Sequence, residues 1–196
     1  MMLKDISFNE RGLLMKIVGI IGNNASKSHN RMLLEHMAER YGAENEFVLA
    51  EIKDIPLFNA DFMGQDVPAS VNELADLIES ADGVVISTAE YDHAITAALK
   101  SVLEWLSSVR KPFQGKPILI VGASLGALGS VRAQDNLRNI LTSPGLYAKV
   151  FPGAEFLVDR AGQKFDEDGK FTDQGSIEFL DMLFNQYLDF IAEQKA

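Results

Sequence analysis

The stretch KIVGIIGNNASKSHN, residues 16–30, decides the fold that we expect for this chain. Residues 16–21 are almost continuously apolar, which is typical of a strand buried on both faces of a parallel sheet. Gly22 ends that strand, a short polar loop follows, and a helix opens near Ser28. Because a helix start presents unpaired backbone N–H groups and a partial positive charge, this loop is suited to holding an anion. A serine that merely caps the helix fits the stretch equally well.

Two phosphate motifs are excluded at this loop. The residues after Gly22 lack the further glycines of GxGxxG, and the pattern GxxxxGK[ST] is also absent. The pyrophosphate of a dinucleotide and the triphosphate of a P-loop protein are therefore not expected here. A loop rich in serine and asparagine is better matched to a single phosphate monoester.

The rest of the chain alternates between predicted strands and helices. After the first strand and helix, we predict strands over residues 46–52, 83–88, 117–123 and 147–151 and helices over residues 69–81, 94–109, 130–141 and 175–193. Residues 159–175 are charged and Gly-rich, which indicates a loop or a hairpin. The alternation predicts an α/β fold with a parallel sheet and helices on both faces. We expect one domain over residues 15–196, preceded by residues 1–14 as an N-terminal arm or a start-site extension.

The composition narrows the possible partners and the compartment. The 196 residues carry a net charge of −10, which argues against nucleic acid and anionic membranes as partners. There is no cysteine for a disulfide or a thiolate metal site, and the three histidines do not occur at metal-ligand spacing. No apolar run approaches the length of a membrane span, and residues 1–14 lack the apolar core of a signal peptide. We expect a cytoplasmic protein with no metal, no nucleic-acid partner and no membrane partner.

Two further strands end in loops of unusual composition. Residues 88–93 read TAEYDH after the third strand, and residues 122–130 read GASLGALGS after the fourth. Ligands of parallel sheets bind beyond the carboxyl ends of the strands, so these loops and the first one together describe one pocket. Tyr91 can form the wall for a flat ring, and the glycines let the backbone approach a ligand closely. The alternatives are a tyrosine packed at the base of its loop and an ordinary Gly-rich turn.

Taken together, the three loops resemble those of the flavodoxin-like NADPH-dependent FMN reductase family, which also contains quinone, azo-dye and chromate reductases. The first loop is similar to the family pattern GSxRxxSxN: Gly22, Ser28 and Asn30 match, whereas Asn23 and Ala25 replace serine and arginine. The segment AEYDHAITAALKSVLEW is similar to PEYNxSxPGxLKNxIDW, and GASLGALGSVRAQDNLRNIL corresponds to the third loop and the helix after it. The resemblance runs from the first strand through the final helix.

This resemblance implies a three-layer α/β/α flavodoxin-like sandwich with a five-stranded parallel sheet in the order 2-1-3-4-5. It implies FMN as the cofactor, NAD(P)H as the co-substrate, and hydride transfer through FMN to a small-molecule acceptor. Quinones, azo compounds, metal oxyanions and free flavins all stay open as acceptors. No general acid or base is assigned, because the cofactor carries the chemistry. The residues expected at the phosphate are Asn23, Ser28 and Asn30, and those expected around the ring are Glu90, Tyr91, Asp92, Ser124, Leu125 and Gly126.

Three other functions stay open at this point. Residues 122–126 fit the GxSxG motif of a serine hydrolase, but no histidine follows Ser124 in the chain, as it does in that fold. The second function is that of a flavodoxin-type electron carrier, whose acidic surface would dock basic redox partners. The third is a non-catalytic FMN-binding protein, since Ala25, Ala89 and Asp92 depart from the family pattern.

The helix predicted over residues 94–109 has a second feature besides its core stripe. Ala94, Ala97, Ser101 and Trp105 fall within one narrow arc. Small residues beside a tryptophan suit the close approach of another helix with an aromatic anchor. We therefore expect a homodimer through this helix, as the resemblance to a family whose members commonly dimerise also implies. The alternative is that Trp105 only covers the edge of the sheet.

Overall fold

The computed structural model describes residues 14–62 and 67–195. The N-terminal arm expected over residues 1–14 therefore lies outside the described residues, except for Leu14. The strands are β1 Lys16–Gly22, β2 Glu46–Ala50, β3 Gly83–Thr88, β4 Pro117–Ala123, β5 Lys149–Val150 and β6 Phe156–Val158. The helices are α1 His29–Tyr41, α2 Ala69–Ser80, α3 Ala97–Ser108, α4 Val131–Leu141 and α5 Gln174–Lys195. Short 3₁₀ turns occupy Ala60–Phe62 and Ala161–Gln163.

The sheet is parallel and has the strand order β2-β1-β3-β4-β5, which confirms the predicted order. The predicted count of five strands is wrong by one, because β5 covers two residues and the unpredicted β6 also pairs with β4. β5 pairs with Pro117 and Ile118, and β6 pairs with residues 121–123 further along the same strand. Pro152 lies between the two pieces and has no N–H to donate to a ladder, so the chain leaves the sheet there and returns at Phe156.

Two hydrophobic cores cover the two faces of this sheet, which confirms the three-layer architecture. Helices α2, α3 and α4 bury their apolar stripes on one face, and helices α1 and α5 bury theirs on the other. Strands β3 and β4 are buried along their whole length, as expected of strands covered on both sides. Tyr187 of α5 lies fully inside, with its hydroxyl 2.9 Å from the Val84 carbonyl and 3.0 Å from the Pro117 carbonyl. Burial raises the pKa of Tyr187, so the hydroxyl stays a neutral donor that fastens α5 to the sheet.

Helix α3 begins three residues later than the sequence predicts. Thr96 precedes it as the N-cap, and its hydroxyl oxygen accepts a hydrogen bond from the Leu99 N–H at 3.1 Å. Asp92 and His93, just upstream, have φ values of 50° and 65° and form a tight turn that no helix can include. The turn keeps Ala94 out of the helix and gives the preceding loop a defined shape.

The arc of α3 that carries Ser101 and Trp105 is covered by residues 55–62 of the same chain. Trp105 is only 2% exposed, and its indole N–H donates to the Pro56 carbonyl at 2.8 Å. The Ser101 hydroxyl accepts from the Phe58 N–H at 2.7 Å, and the Phe58 ring meets Trp105 edge-on. The use of Trp105 as an exposed dimer anchor is therefore wrong, because residues 55–62 occupy that arc. The homodimer itself stays a prediction.

Of the predicted loop or hairpin over residues 159–175, residues 159–173 form a hairpin-like segment, and α5 begins at Gln174. Phe165 and Phe171 make an antiparallel bridge, and the Asp166 N–H donates to the Lys170 carbonyl at 3.0 Å. Within the described ranges, no helix has the length and apolar character needed to cross a bilayer.

Candidate functional site

The carboxyl ends of β1, β3 and β4 lie side by side, so the three loops of interest share one edge of the sheet. Gly22 at the end of β1 is in register with Thr88 at the end of β3. Ser87 is in register with Val121 of β4. The structure therefore brings together residues 23–30, 88–96 and 122–130, which is where a ligand of a parallel sheet binds.

The first loop is held in shape by the buried side chain of Asn23. Its Oδ1 accepts from the Ala25 N–H at 3.0 Å, and its Nδ2 donates to the Ser28 hydroxyl oxygen at 3.0 Å. That oxygen also accepts from the Arg31 N–H at 3.1 Å, which makes Ser28 the N-cap of α1. With two bonds accepted by its oxygen, Ser28 keeps its hydroxyl hydrogen to donate to a guest.

Several backbone donors of this loop have no acceptor within the protein. Within the described part of the chain, the N–H groups of residue 24 and of residues 26–30 donate to no protein acceptor. Six such donors at the start of a helix, where its dipole is positive, make a cradle for an anion. The Ser28 cap leaves these N–H groups without an acceptor, so capping of the helix and binding of an anion are compatible.

Asn30 connects the helix to the neighbouring strands. Its Nδ2 donates to the Ala123 carbonyl at 2.9 Å, and its Oδ1 accepts from the Ala123 N–H at 2.8 Å and from the Ser87 hydroxyl at 2.9 Å. The side chain is buried. Asn30 thus acts as a clamp that sets the start of α1 against the ends of β3 and β4.

The loop after β3 is a short hairpin that presents Tyr91. Tyr91 and Ala94 exchange two N–H···O=C bonds of 3.0 Å, with Asp92 and His93 at the positive φ values of a type I′ turn. Tyr91 is 53% exposed, so it is not packed at the base of its loop. The Thr96 hydroxyl donates to the Gly22 carbonyl at 2.9 Å and ties this loop to the end of β1.

The carboxylate of Glu90 lies at the start of α4. Oε2 accepts from the N–H groups of Arg132 at 3.0 Å and Ala133 at 3.2 Å, and Oε1 lies 3.6 Å from the Arg132 guanidinium. The side chain is only 13% exposed. The carboxylate therefore bridges the loop after β3 and the helix that follows the loop after β4.

The carboxyl end of β4 needs glycine at position 122. A Cβ on Gly122 would lie 2.1 Å from the Ser130 hydroxyl oxygen and 2.8 Å from the Thr88 carbonyl oxygen. Only glycine lets β4 end so close to the loop after β3. Leu125, in the loop that follows, is 71% exposed at this edge of the sheet.

Ser124 is anchored on both sides by the segment that follows β6. Its N–H donates to the Val158 carbonyl and its carbonyl accepts from the Ala161 N–H, both at 2.9 Å. Its hydroxyl oxygen accepts from the Gly126 N–H at 3.1 Å. No histidine of the described residues hydrogen-bonds to this hydroxyl, so the GxSxG motif lacks the base that a serine nucleophile requires.

Sequence reasoning missed two supports of the site. Thr96 carries an ordinary helix-cap signal, a threonine just before the apolar periodicity of α3, and that signal could have located it. The support from residues 158–161 had no such signal, because β6 is only three residues long and follows a proline.

An anion cradle beside two exposed apolar walls fits a ligand with a phosphate and a flat ring. The donors available to that phosphate are backbone N–H groups. Asp92 and Leu125 also have backbone N–H groups without an acceptor in the described part of the chain. These can serve the polar edge of a ring. On a sheet of order 2-1-3-4-5 the features define a flavodoxin-like flavoprotein.

The chain belongs to the NADPH-dependent FMN reductase family, which its residues 15–163 match. It is accordingly an oxidoreductase that uses FMN with NAD(P)H as the reductant.

Curated relatives agree with this assignment. The chain is 46% identical over 177 residues to the NADH:(hydroxy)cinnamate reductase subunit CrdA of Vibrio ruber, covering 90% of this chain and 87% of that protein. It is 39% identical to the NADH-dependent flavin reductase subunit 2 of Lactobacillus johnsonii, covering 91% and 98%. A quinone reductase of Escherichia coli is 35% identical, covering 92% and 97%.

A solved structure is also similar over nearly the whole chain. The flavoenzyme NAD(P)H:(acceptor) oxidoreductase FerB of Paracoccus denitrificans has a TM-score of 0.81 and 26% identity. The match covers 92% of this chain and 99% of FerB.

Proposed function

We propose that the cradle at residues 23–30 binds the phosphate of FMN and that the loops 88–93 and 122–130 hold the ring. The observation that carries this proposal is the set of backbone donors at residue 24 and residues 26–30, which have no acceptor in the described part of the chain. They lie at the same sheet edge as the exposed side chains of Tyr91 and Leu125. FMN bound in this way would lie beyond the carboxyl ends of the strands, where ligands of doubly wound sheets bind.

In the first loop, some residues would contact the phosphate and others would hold the loop in shape. Ser28 donates its hydroxyl hydrogen to the phosphate together with the backbone N–H groups. The side chains of Asn23 and Asn30, two residues expected at the phosphate from sequence, hold the loop and the helix start in place, because their amide groups are bonded within the protein. A preorganised cradle binds without first ordering its own backbone.

The residues of the other two loops enclose the ring. Tyr91 and Leu125 supply the apolar walls, and the backbone of Asp92, Ser124 and Gly126 lines the edge between them. FMN supplies hydride transfer when bound, and the protein binds it, orients it and limits access of water. No side chain needs to act as a general acid or base.

We propose a quinone or a free flavin as the acceptor. Support comes from the relatives named quinone reductase and NADH-dependent flavin reductase, at 35% and 39% identity. A second candidate is electron delivery to a partner protein, because two relatives carry the word subunit in their names. The net charge of −10 suits a basic partner.

We also propose a cytoplasmic homodimer. The acidic composition without cysteine supports the compartment. The dimer has support from the common dimerisation of the family and from the exposed Leu57 and Phe62 on the segment that covers α3.

The test of the activity is NADH and NADPH oxidation by purified protein loaded with FMN, with and without 1,4-benzoquinone. We expect a rate several-fold above that of free FMN at equal concentration, raised further by the quinone. A rate no higher than that of free FMN with every quinone would sink the reductase proposal. Reduction of bound FMN by NADH without turnover of any small acceptor would instead favour delivery to a partner protein.

A further inference from the structure

Helix α4 begins without a cap from the residue before it. Ser130 occupies that position with φ of +71°, and its hydroxyl oxygen accepts from the Gln134 side-chain amide at 3.2 Å. It makes no bond to the first N–H groups of the helix. Because uncapped N–H groups at a helix start cost stability, α4 needs an acceptor from elsewhere in the fold.

Glu90 supplies that acceptor from 42 residues earlier in the chain. It bonds to the N–H groups of Arg132 and Ala133, the second and third residues of α4, which are the two that a cap normally serves. The carboxylate also lies at the positive end of the helix dipole. Its ion pair with the Arg132 guanidinium is longer, at 3.6 Å, and that guanidinium is half exposed.

We propose that Glu90 is a positioning residue that couples the two walls of the flavin ring site. Glu90 immediately precedes Tyr91, and α4 follows directly on the loop that contains Leu125. One carboxylate therefore holds the loop after β3 against the loop after β4. This inference rests on the proposed function, and it replaces the ring contact expected of Glu90 with support of the residues that make that contact.

The experiment compares variants by titration with FMN and with riboflavin, followed by flavin fluorescence, and by melting of the apo protein. Glu90→Ala removes the cap, and Glu90→Gln keeps one acceptor oxygen in nearly the same place. Arg132→Ala removes the ion pair but leaves the backbone N–H group. Asp173→Ala removes the cap of α5, where Asp173 accepts from the Ser176 N–H at 3.0 Å, and is the matched control for lost capping.

We expect Glu90→Ala to weaken FMN and riboflavin by the same factor, between about 2-fold and 30-fold, the range that a lost cap corresponds to. Equal loss for both flavins places the effect at the ring rather than at the phosphate. Glu90→Gln should lie between wild type and Glu90→Ala, which keeps the test valid if the alanine variant folds poorly. Asp173→Ala should lower the melting temperature with unchanged flavin affinity. Arg132→Ala should bind both flavins with an affinity within about 2-fold of wild type.

A second readout separates positioning from a general loss of stability. Leu125→Ala should weaken riboflavin in the wild-type background and in the Asp173→Ala background by the same factor. In the Glu90→Ala background the loss should be smaller, because the wall that carries Leu125 is already displaced. Contacting or coupled residues show such non-additivity, and independent ones do not.

Each contrary result has a distinct meaning. Unchanged riboflavin affinity in Glu90→Ala, with wild type binding normally, overturns the positioning role alone. An equal loss in Arg132→Ala assigns the effect to the ion pair and also overturns the cap. If Leu125→Ala weakens riboflavin as much in the Glu90→Ala background as in wild type, the coupling of the two walls by Glu90 is overturned. If wild-type protein binds neither flavin, the proposed function fails and the inference fails with it.

Discussion

Individual buried polar residues mark the functional edge of this protein. Nine polar residues of the described chain are buried, and all but Asn45 and Ser101 lie at the ends of β1, β3 and β4 or against them. Burying a polar group costs free energy unless it is hydrogen-bonded, so such groups concentrate where they hold a defined geometry. Asn23, Asn30 and Thr96 each bond to a backbone group at this edge, and these bonds favour one arrangement of the loops.

The substitution Ser28→Asp tests the phosphate position at the scale of one residue. Aspartate caps helices as well as serine does, so the melting temperature of the apo protein should change little. A carboxylate roughly 4 Å from a phosphate costs about 1 to 4 kcal/mol in FMN affinity, depending on the local dielectric. The measurement is FMN titration by fluorescence quenching.

Riboflavin, which lacks the phosphate, is the internal control for Ser28→Asp. Its affinity should barely change. Equal weakening of riboflavin and FMN would show that the phosphate does not lie at Ser28. Loss of apo stability with FMN affinity intact would leave Ser28 with a capping role alone.

At the scale of elements, long apolar stretches were easier to predict than short ones. Strands β1, β3 and β4 follow from continuous apolar runs and the five helices from apolar periodicity, because burial in or on a sheet imposes these patterns. β5 was predicted over residues 147–151 and covers only Lys149–Val150, and β6 was missed. Both strands are too short to show a clear pattern, and their pairing depends on β4. The arc with Trp105 was recognised, but its partner, residues 55–62, is an irregular segment whose path no local pattern specifies.

The same limit applies to the site. The three loops could be located from the sequence, because strand ends and glycines are local signals. The roles of Asn30 and Glu90 could not, since they depend on bonds to Ala123 and Arg132, 93 and 42 residues away. A residue type tells which bonds are possible, whereas the tertiary structure decides which partner is present.

Helix α1 gives a pH-dependence prediction through its two histidines. Burial lowers the pKa of His29, and burial, followed by the nearby Arg40, lowers the pKa of His36 below the usual 6.5. The unfolded chain therefore binds protons first as the pH falls. The contribution of these histidines to the stability of the apo protein should be fully present above pH 6.5. It should decrease as the pH falls from that value towards the lower pKa values of the folded state.

The measurement is apo-protein melting from about pH 7.5 to about pH 5.5, the range in which histidine titrates. His36→Gln should flatten the curve in this range, and His93→Gln, at an exposed position of the turn after β3, is the control. The carboxylate of Glu51 does not interfere, because its hydrogen bond from Arg31 holds its pKa below the usual range. A curve that is equally steep in His36→Gln and wild type would contradict the assignment to His36.

At the scale of the whole molecule, the distribution of exposed apolar side chains bears on assembly. Leu57 is 72% exposed, and Phe62 on the same segment is also exposed. This segment packs on α3 through Trp105, so it presents an apolar surface on a rigid base. Exposed apolar groups that lie together are typical of protein interfaces. The expected dimer interface is therefore the outer side of residues 55–62 rather than α3 itself.

Light scattering of the purified protein at micromolar concentration tests this assembly. We expect twice the chain mass of 21.6 kDa for wild type. Leu57→Asp should give the monomer, because a buried unpaired carboxylate is costly in an apolar interface. Tyr147→Asp, at an exposed position outside this segment of the chain, should remain a dimer.

Trp105 is the single tryptophan and is buried within the chain, so unchanged emission in Leu57→Asp confirms that the monomer is folded. A monomeric wild type would refute the dimer, and a dimeric Leu57→Asp would move its interface elsewhere.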